Sequence, residues 1–432
     1  MRLPPDHPLR TELNDEVHAR PPDALAAPVR VLYLALVSDG AGREREWEAL
    51  CDLAGRFGAP SPAPGAVHYG ADLGVFRLTW ERHTEFVRYS FAFAGAPGDS
   101  PEDPFEGSGM EAVPADWLAS LPGRVATAAR AAVLPAADAP PEMRGIQARL
   151  FADNPLVGAT IAGGAGTALT DFRIHPDGHG RLLVLDRGMP PLQAGRMVQR
   201  LLEMDTYRVL ALLALPVARD VAPHLAAGER ELARITAALT AAEPADEPAL
   251  LDRLTRLAAG LESRQADNGF RFGAAQAYGE LVQRRVTELR EARIQGLQTF
   301  REFTERRLVP ALNTCRAVAV RQESLSRRVA RATALLSTRV QITSEQQTRA
   351  VLESVNRRVK LQLRLQRTVE GLSVAAVTYY VVGLVGYAAK GLVASGVDVS
   401  PDLAMGLSLP LVAAATALGV RRARAMFAPR DA

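Results

Sequence analysis

Two stretches without a single charge lie close together near the C-terminus, and they limit what this chain can fold into more than any other feature. Residues 371–389 run nineteen positions between Glu370 and Lys390, and residues 403–420 run eighteen between Asp402 and Arg421. A helix rises about 1.5 Å per residue, so each run covers close to the ~30 Å hydrocarbon core of a bilayer. Lipid offers no hydrogen bonds to the backbone, so two membrane-spanning helices are expected. Between them, residues 391–402 hold Gly391, Gly396 and Pro401, which reads as a short hairpin loop. Gly383, Gly386, Gly406 and Gly419, with Ala413-Ala414-Ala415, are small enough to let the helices pack closely. Tyr387 falls where an interfacial aromatic belt belongs, and Pro410 lies mid-span beside Ser408, which can satisfy the freed carbonyl.

The flanks set the orientation. Arg357, Arg358, Lys360, Arg364 and Arg367 precede the first run, and Arg421, Arg422 and Arg424 follow the second. The loop has only Lys390, offset by Asp398 and Asp402. The positive-inside rule then places both termini, and the basic tail 421–432, in the cytoplasm. Juxtamembrane bases attract anionic headgroups by about 1 kcal/mol each. Residues 310–370 read as a helical stalk that begins or kinks at Pro310. Its apolar residues, Val318, Leu325, Val329 and Leu336, then Leu352, Val355, Val359 and Leu363, recur mostly at spacings of three, four or seven. That pattern predicts a coiled coil joining copies of the chain, with Thr343, Gln346 and Gln347 as a polar break that sets register.

The remainder reads as α+β: an N-terminal mixed α/β domain over 1–189 and a helical domain over 190–309. Residues 30–37 (RVLYLALV) predict a buried strand, and 43–57 a helix with Trp47, Leu50, Leu53 and Ala54 on one face. Residues 75–80 and 85–93 alternate about a short turn and predict a hairpin. Further strands are expected at 124–134, 157–162, 168–174 and 182–186, with Asp177-Gly178 as a tight turn, and a short helix at 141–151. From Pro191 the period becomes helical, with a predicted interruption at 267–273. A 48% hydrophobic content excludes wholesale disorder, and a net charge of +3 gives no whole-chain case for nucleic acid. Cys51 and Cys315 read as separate inert thiols, and residues 1–10 carry no apolar run of the kind a signal peptide needs.

Two polar groups are candidate binding sites. The arm His7-Pro8-Leu9-Arg10 continues to Glu16-Val17-His18-Ala19-Arg20-Pro21, placing His7, Arg10, Glu16, His18 and Arg20 in a segment with little to bury. It suits a docking arm or ligand clamp, although its spacing defines no metal geometry. Glu81, His83 and Glu85 sit at the predicted hairpin tip, where a histidine between carboxylates can act as a general base or metal ligand. Gly163-Gly164-Ala165-Gly166 lacks the lysine of a phosphate loop. No nucleophile elbow, zinc signature or dinucleotide fingerprint is present, so no catalysis, cofactor or metal is expected.

The arm motif, Glu81-Arg82-His83-Thr84-Glu85-Phe86, Thr206-Tyr207-Arg208, and Thr368-Val369-Glu370-Gly371-Leu372-Ser373 together resemble a bacterial family of uncharacterised membrane-anchored proteins, domain of unknown function 3422. The resemblance runs over nearly the whole chain and implies a multi-pass protein of the bacterial inner membrane. It implies no activity. In order of parts the chain is also similar to CorA-type magnesium channels, which implies an alternative role as an oligomeric divalent-cation channel, with Ser373, Thr378 or Tyr379 lining the pore. Those channels carry Gly-Met-Asn where this chain has Gly386-Tyr387-Ala388-Ala389-Lys390, and Lys390 at an outer mouth would repel a divalent cation. The leading expectation is therefore a non-enzymatic scaffold presenting its soluble domain to a cytoplasmic protein partner.

Overall fold

Val29–Val37 is buried along almost its whole length, as a run of β-branched and aliphatic residues at the centre of a sheet must be. The computed structural model describes residues 6–11, 13–14, 22–38, 42–95, 103–106, 109–138, 142–396 and 398–427. By internal contacts they form two units: residues 1–241 with 252–333, and residues 242–251 with 334–432.

The first unit holds a nine-stranded mixed sheet. Its strands are β1 (Val29–Val37), β2 (His68–Asp72), β3 (Arg77–Arg82), β4 (Phe86–Ala94), β5 (Arg124–Pro135), β6 (Val157–Ile161), β7 (Gly166–Thr170), β8 (Gly180–Asp186) and β9 (Ala292–Arg293). They lie in the order β2-β3-β4-β1-β5-β8-β7-β6-β9. β5 and β8 run parallel; the other pairs are antiparallel. The helices include α1 (Arg43–Arg56), α2 (Ala115–Ser120), α3 (Met143–Leu150), α4 (Pro191–Leu212), α5 (Ala214–Ala241), α6 (Glu247–Glu288), α7 (Phe300–Arg307), α8 (Val309–Ala394) and α9 (Pro401–Phe427).

Period-two alternation sends successive side chains to opposite faces. One face carries Val31, Tyr33, Ala131 and Val184 beneath Met197 and Leu201 of α4 and Val282 and Val286 of α6. The other carries Leu78, Trp80, Tyr89 and Phe91 against Leu50 and Leu53 of α1 and Trp117 of α2. Farther along that face, Ile146 and Leu150 of α3 cover Ala132 and Leu183.

The predicted interruption at 267–273 is not there: α6 runs unbroken from Glu247 to Glu288. Gly269 and Gly273 have open space where a Cβ would stand, and they weaken the helix without breaking it. The break comes later. Arg290 adopts a left-handed φ of 48°, and Thr299 starts α7 with a capping box shared with Glu302. The strand expected at 168–174 lies at Gly166–Thr170 instead, because the Asp171 carboxylate accepts from the Arg173 N–H and turns the chain.

Gly195 on α4 fixes how closely that helix meets the segment before β1. A Cβ there would stand 1.7 Å from the Asp23 carbonyl oxygen. Gly→Ala inside a helix normally gains about 0.5–1 kcal/mol. Here the overlap reverses the sign, and Gly195→Ala is expected to lose about 1–3 kcal/mol in urea denaturation. A gain would mean that the backbone contact yields freely.

In the second unit, the buried carboxylate of Glu247 accepts from Arg339 of α8 at 2.5 Å. α8 ends near Gly396, whose φ of 91° is the left-handed stop common after helices. Ser400 then caps α9 by accepting from the Leu403 N–H at 3.1 Å. A Cβ on Gly386 would lie 2.5 Å from Met405 Sδ, so α8 and α9 approach closely at that point. Among the described residues, three helical stretches are by length and composition apolar enough to cross a membrane: Pro191–Ala241, Phe300–Ala394 and Pro401–Arg422.

Candidate functional site

A concentration of buried charge in the first unit begins with a cross-strand pair. Arg88 of β4 lies directly opposite Glu81 of β3, and its Nη2 donates to Glu81 Oε1. Arg88 Nη1 donates to Glu203 Oε1 of α4 at 3.0 Å. Gln199, one turn earlier on α4, donates to the same oxygen at 2.8 Å, and Arg285 Nε of α6 donates to the other at 2.5 Å. Arg285 continues to Glu288 at 2.8 Å, and Arg200 Nε reaches the same Glu288 oxygen at 3.1 Å. Acid and base thus alternate from Glu81 to Arg200, and the charges cancel. Glu81, Arg88 and Glu203 are each no more than 6% exposed.

The sheet's alternation and the helical repeat put these groups together. Thr79 and Glu81 share a face with Arg88 and Ser90, while Gln199 and Glu203 share one side of α4. Beside them the Tyr33 hydroxyl and Thr206 Oγ1 bond at 2.9 Å. Burial pushes the Tyr33 phenol above its ordinary range, against the pull of Arg88. Tyr207 is pushed up to about 12, by burial first and then by the Glu203 charge. Burial pulls the Arg88 guanidinium down, but Glu81, Glu203 and Tyr33 together lift it above its ordinary value. Both tyrosines stay neutral, and both oxygens of Glu203 are occupied by donors. The arrangement ties β3 and β4 to α4 and α6.

The sequence candidates separate. His83 follows β3, stacks on Phe86 with ring centroids 4.1 Å apart, and brings Nε2 to 3.6 Å from Glu81 Oε2. Glu85 turns instead to α6, accepting from Arg271 Nη2 at 2.7 Å. Burial, and then the Glu85 charge, raises the Tyr278 phenol beside it. His7 and Arg10 are exposed and engaged within the arm: His7 Nδ1 accepts from the Leu9 N–H at 3.2 Å, and Arg10 pairs with Asp6. Glu16, His18 and Arg20 lie outside the described residues. Asp171 is bound to Asn154 and His175, both at 2.9 Å, and Asp186 accepts from the N–H groups of Gly188 and Met189. Among the described residues no three His, Cys, Asp or Glu side chains gather where a metal ion could be held. Arg357, Arg358, Lys360, Arg364 and Arg367 are exposed on α8, and Arg421 and Arg422 on α9. Arg424 lies within α9, its side chain outside the description.

Arg88, Glu203 and Arg285 escape a sequence reading because their partners are 82 and 115 residues apart along the chain. One signal was available: Arg88 occupies a position of the alternating strand FVRYSFAFA that faces the core.

Fold and site together define a mixed α+β protein whose nine-stranded sheet is tied by buried charge to long helices. The chain belongs to the family described as "Protein of unknown function (DUF3422)", whose model matches residues 5–427. No curated protein and no solved structure matches it.

Proposed function

We propose that this protein is a non-enzymatic, membrane-anchored interaction module of the bacterial inner membrane. The observation that carries the reading is the exposed apolar surface along the end of α8 and along α9. Leu372, Tyr379, Leu384 and Tyr387, with Leu403, Leu407, Leu411 and Leu418, are each 64–76% exposed. Large contiguous apolar surfaces on soluble proteins are rare and mark a membrane or a partner. Here the lengths match a bilayer, and basic residues flank both ends. In this reading α8 and α9 form a two-helix hairpin, both termini are cytoplasmic, and the flanking arginines meet anionic headgroups. The stretch Pro191–Ala241 is not part of the hairpin. Its apolar residues are used inside the first unit, where Met197, Leu201 and Leu210 pack against the sheet.

The α8 segment before the hairpin would join copies of the chain. Leu352, Val355, Val359 and Leu363 recur at 3-4-4 spacing, one eleven-residue repeat, and are 44–62% exposed. A second copy offers the identical stripe, so the two can cover each other. Neutralised carboxylates and the lack of a catalytic motif favour binding a cytoplasmic protein over chemistry; nucleic acid is not a partner in this reading. Native mass spectrometry of the detergent-purified full chain tests self-association. An oligomer is expected, dissociating in the double variant Val355→Arg, Val359→Arg. A wild-type chain that is only monomeric would sink that part of the proposal.

A further inference from the structure

One cavity of the first unit has the makings of a ligand site. It encloses about 320 Å³ between α4 and the seam where β5 and β8 run parallel. That is the small end of the range for small-molecule pockets, about 300–1,000 Å³. Its walls are mainly apolar: Leu201, Met204 and Val209 of α4, Leu182 of β8, and the rings of Phe172 and Phe300. Phe172 is held in the left-handed region at a φ of 53°, stacked on Phe303 with centroids 4.3 Å apart. A bulky residue at positive φ persists only where its surroundings enforce it, and such residues gather at ligand sites.

Polar groups in this lining are few and specific. The Thr127 hydroxyl, on a residue 6% exposed, has no hydrogen-bond partner. A buried hydroxyl without a partner is costly, and a ligand atom would relieve it. Arg208 lies 5.0 Å above the Phe172 ring, its Nε and Nη2 both donating to Asp205 Oδ1 at 3.0 and 2.5 Å. That pair fixes the guanidinium while Nη1 donates to no acceptor among the described residues. Arg173, exposed at the rim, makes no ion pair among the described residues. A third guanidinium in the lining, Arg181, donates to the Leu150 carbonyl at 2.7 Å and pairs with Asp103 outside the cavity. That leaves one carboxylate, Asp205, against Arg173 and Arg208, and the lining short of one negative charge.

We infer that this cavity binds a small apolar monocarboxylate, its head held by Arg208 and Arg173 and its body against Phe172, Phe300 and the α4 side chains. The site is independent of whether the chain enters a membrane or self-associates.

Calorimetric titration of the full chain in lipid nanodiscs, with empty nanodiscs as the blank, tests this with 4-phenylbutyrate and its neutral amide. The acid is expected to bind saturably and at least about tenfold more tightly than the amide, since a charge-assisted hydrogen bond carries about that factor. Arg173→Met, at the exposed rim where folding is not at stake, should weaken the acid and leave the amide unchanged; Arg208→Met should do the same more strongly. Val209→Trp, which fills the cavity, should remove both. Equal affinity for acid and amide, binding that survives Val209→Trp, or no binding of the acid at millimolar concentration would each overturn the assignment.

Discussion

Glu203→Ala is expected to cost the first unit about 3–5 kcal/mol, the range found when one partner of a buried ion pair is removed. The carboxylate accepts from Arg88, Gln199 and Arg285 together, so the truncation leaves three donors short of an acceptor. It also leaves the network with one uncancelled positive charge beside the buried Arg88. Glu81 and Glu288 still hold one side of Arg88 and Arg285, so the loss stays within this range. Trp47, Trp80 and Trp117 all lie in the first unit, so the tryptophan fluorescence of a urea titration reports its unfolding without interference from the second. Glu203→Gln keeps one acceptor oxygen and should lose less. A loss below about 1 kcal/mol for Glu203→Ala would mean that water enters the cluster and screens it like a surface pair.

The same residues show what the sequence can and cannot disclose. β1 was legible as a continuous apolar run over residues 31–37, and α1 and the β3–β4 hairpin because their apolar residues recur at a single period. β2 was not: in His68–Asp72 only Tyr69 and Ala71 are apolar, and the strand forms because β3 supplies its hydrogen bonds. The parallel seam between β5 and β8 was equally hidden, since pairing across that separation leaves no local trace. In α6 local composition misled: glycine is a breaker by propensity, but an isolated glycine facing open space costs only about 1 kcal/mol, and forty-two helical residues absorb it. For the site, polar residues at the hairpin tip were visible, and Glu81 does approach His83. Their true partners were not, because Arg88 and Glu203 sit within apolar repeats, and only the assembled layers bring them into contact.

Removal of everything after Arg367 is expected to move the protein from the membrane to the soluble fraction completely. The full chain should instead survive an alkaline carbonate wash, which strips proteins held only by charge. The argument is one of unmatched surface. Residues 371–389 and 403–420 carry no charge, and their large side chains face outward. In water that surface would drive aggregation; in hydrocarbon each Leu or Val at a span centre favours insertion by about 0.3–0.6 kcal/mol. An aspartate at the centre of a span costs about 2.5–3.5 kcal/mol on the same scale, so Val382→Asp with Leu411→Asp should destabilise the hairpin without touching the first unit. The truncation also separates the three apolar stretches. If Pro191–Ala241 crossed the bilayer, residues 1–367 would stay in the membrane; if its apolar side chains are used against the sheet, they leave it. Orientation follows from a membrane-impermeant maleimide on a chain whose Cys51 and Cys315 are replaced by serine. Asp398→Cys should react from outside intact spheroplasts, and Arg422→Cys only after permeabilisation. Asp398→Cys that reacts only after permeabilisation would overturn the hairpin's orientation, and a full-length chain released by carbonate would overturn the anchor itself.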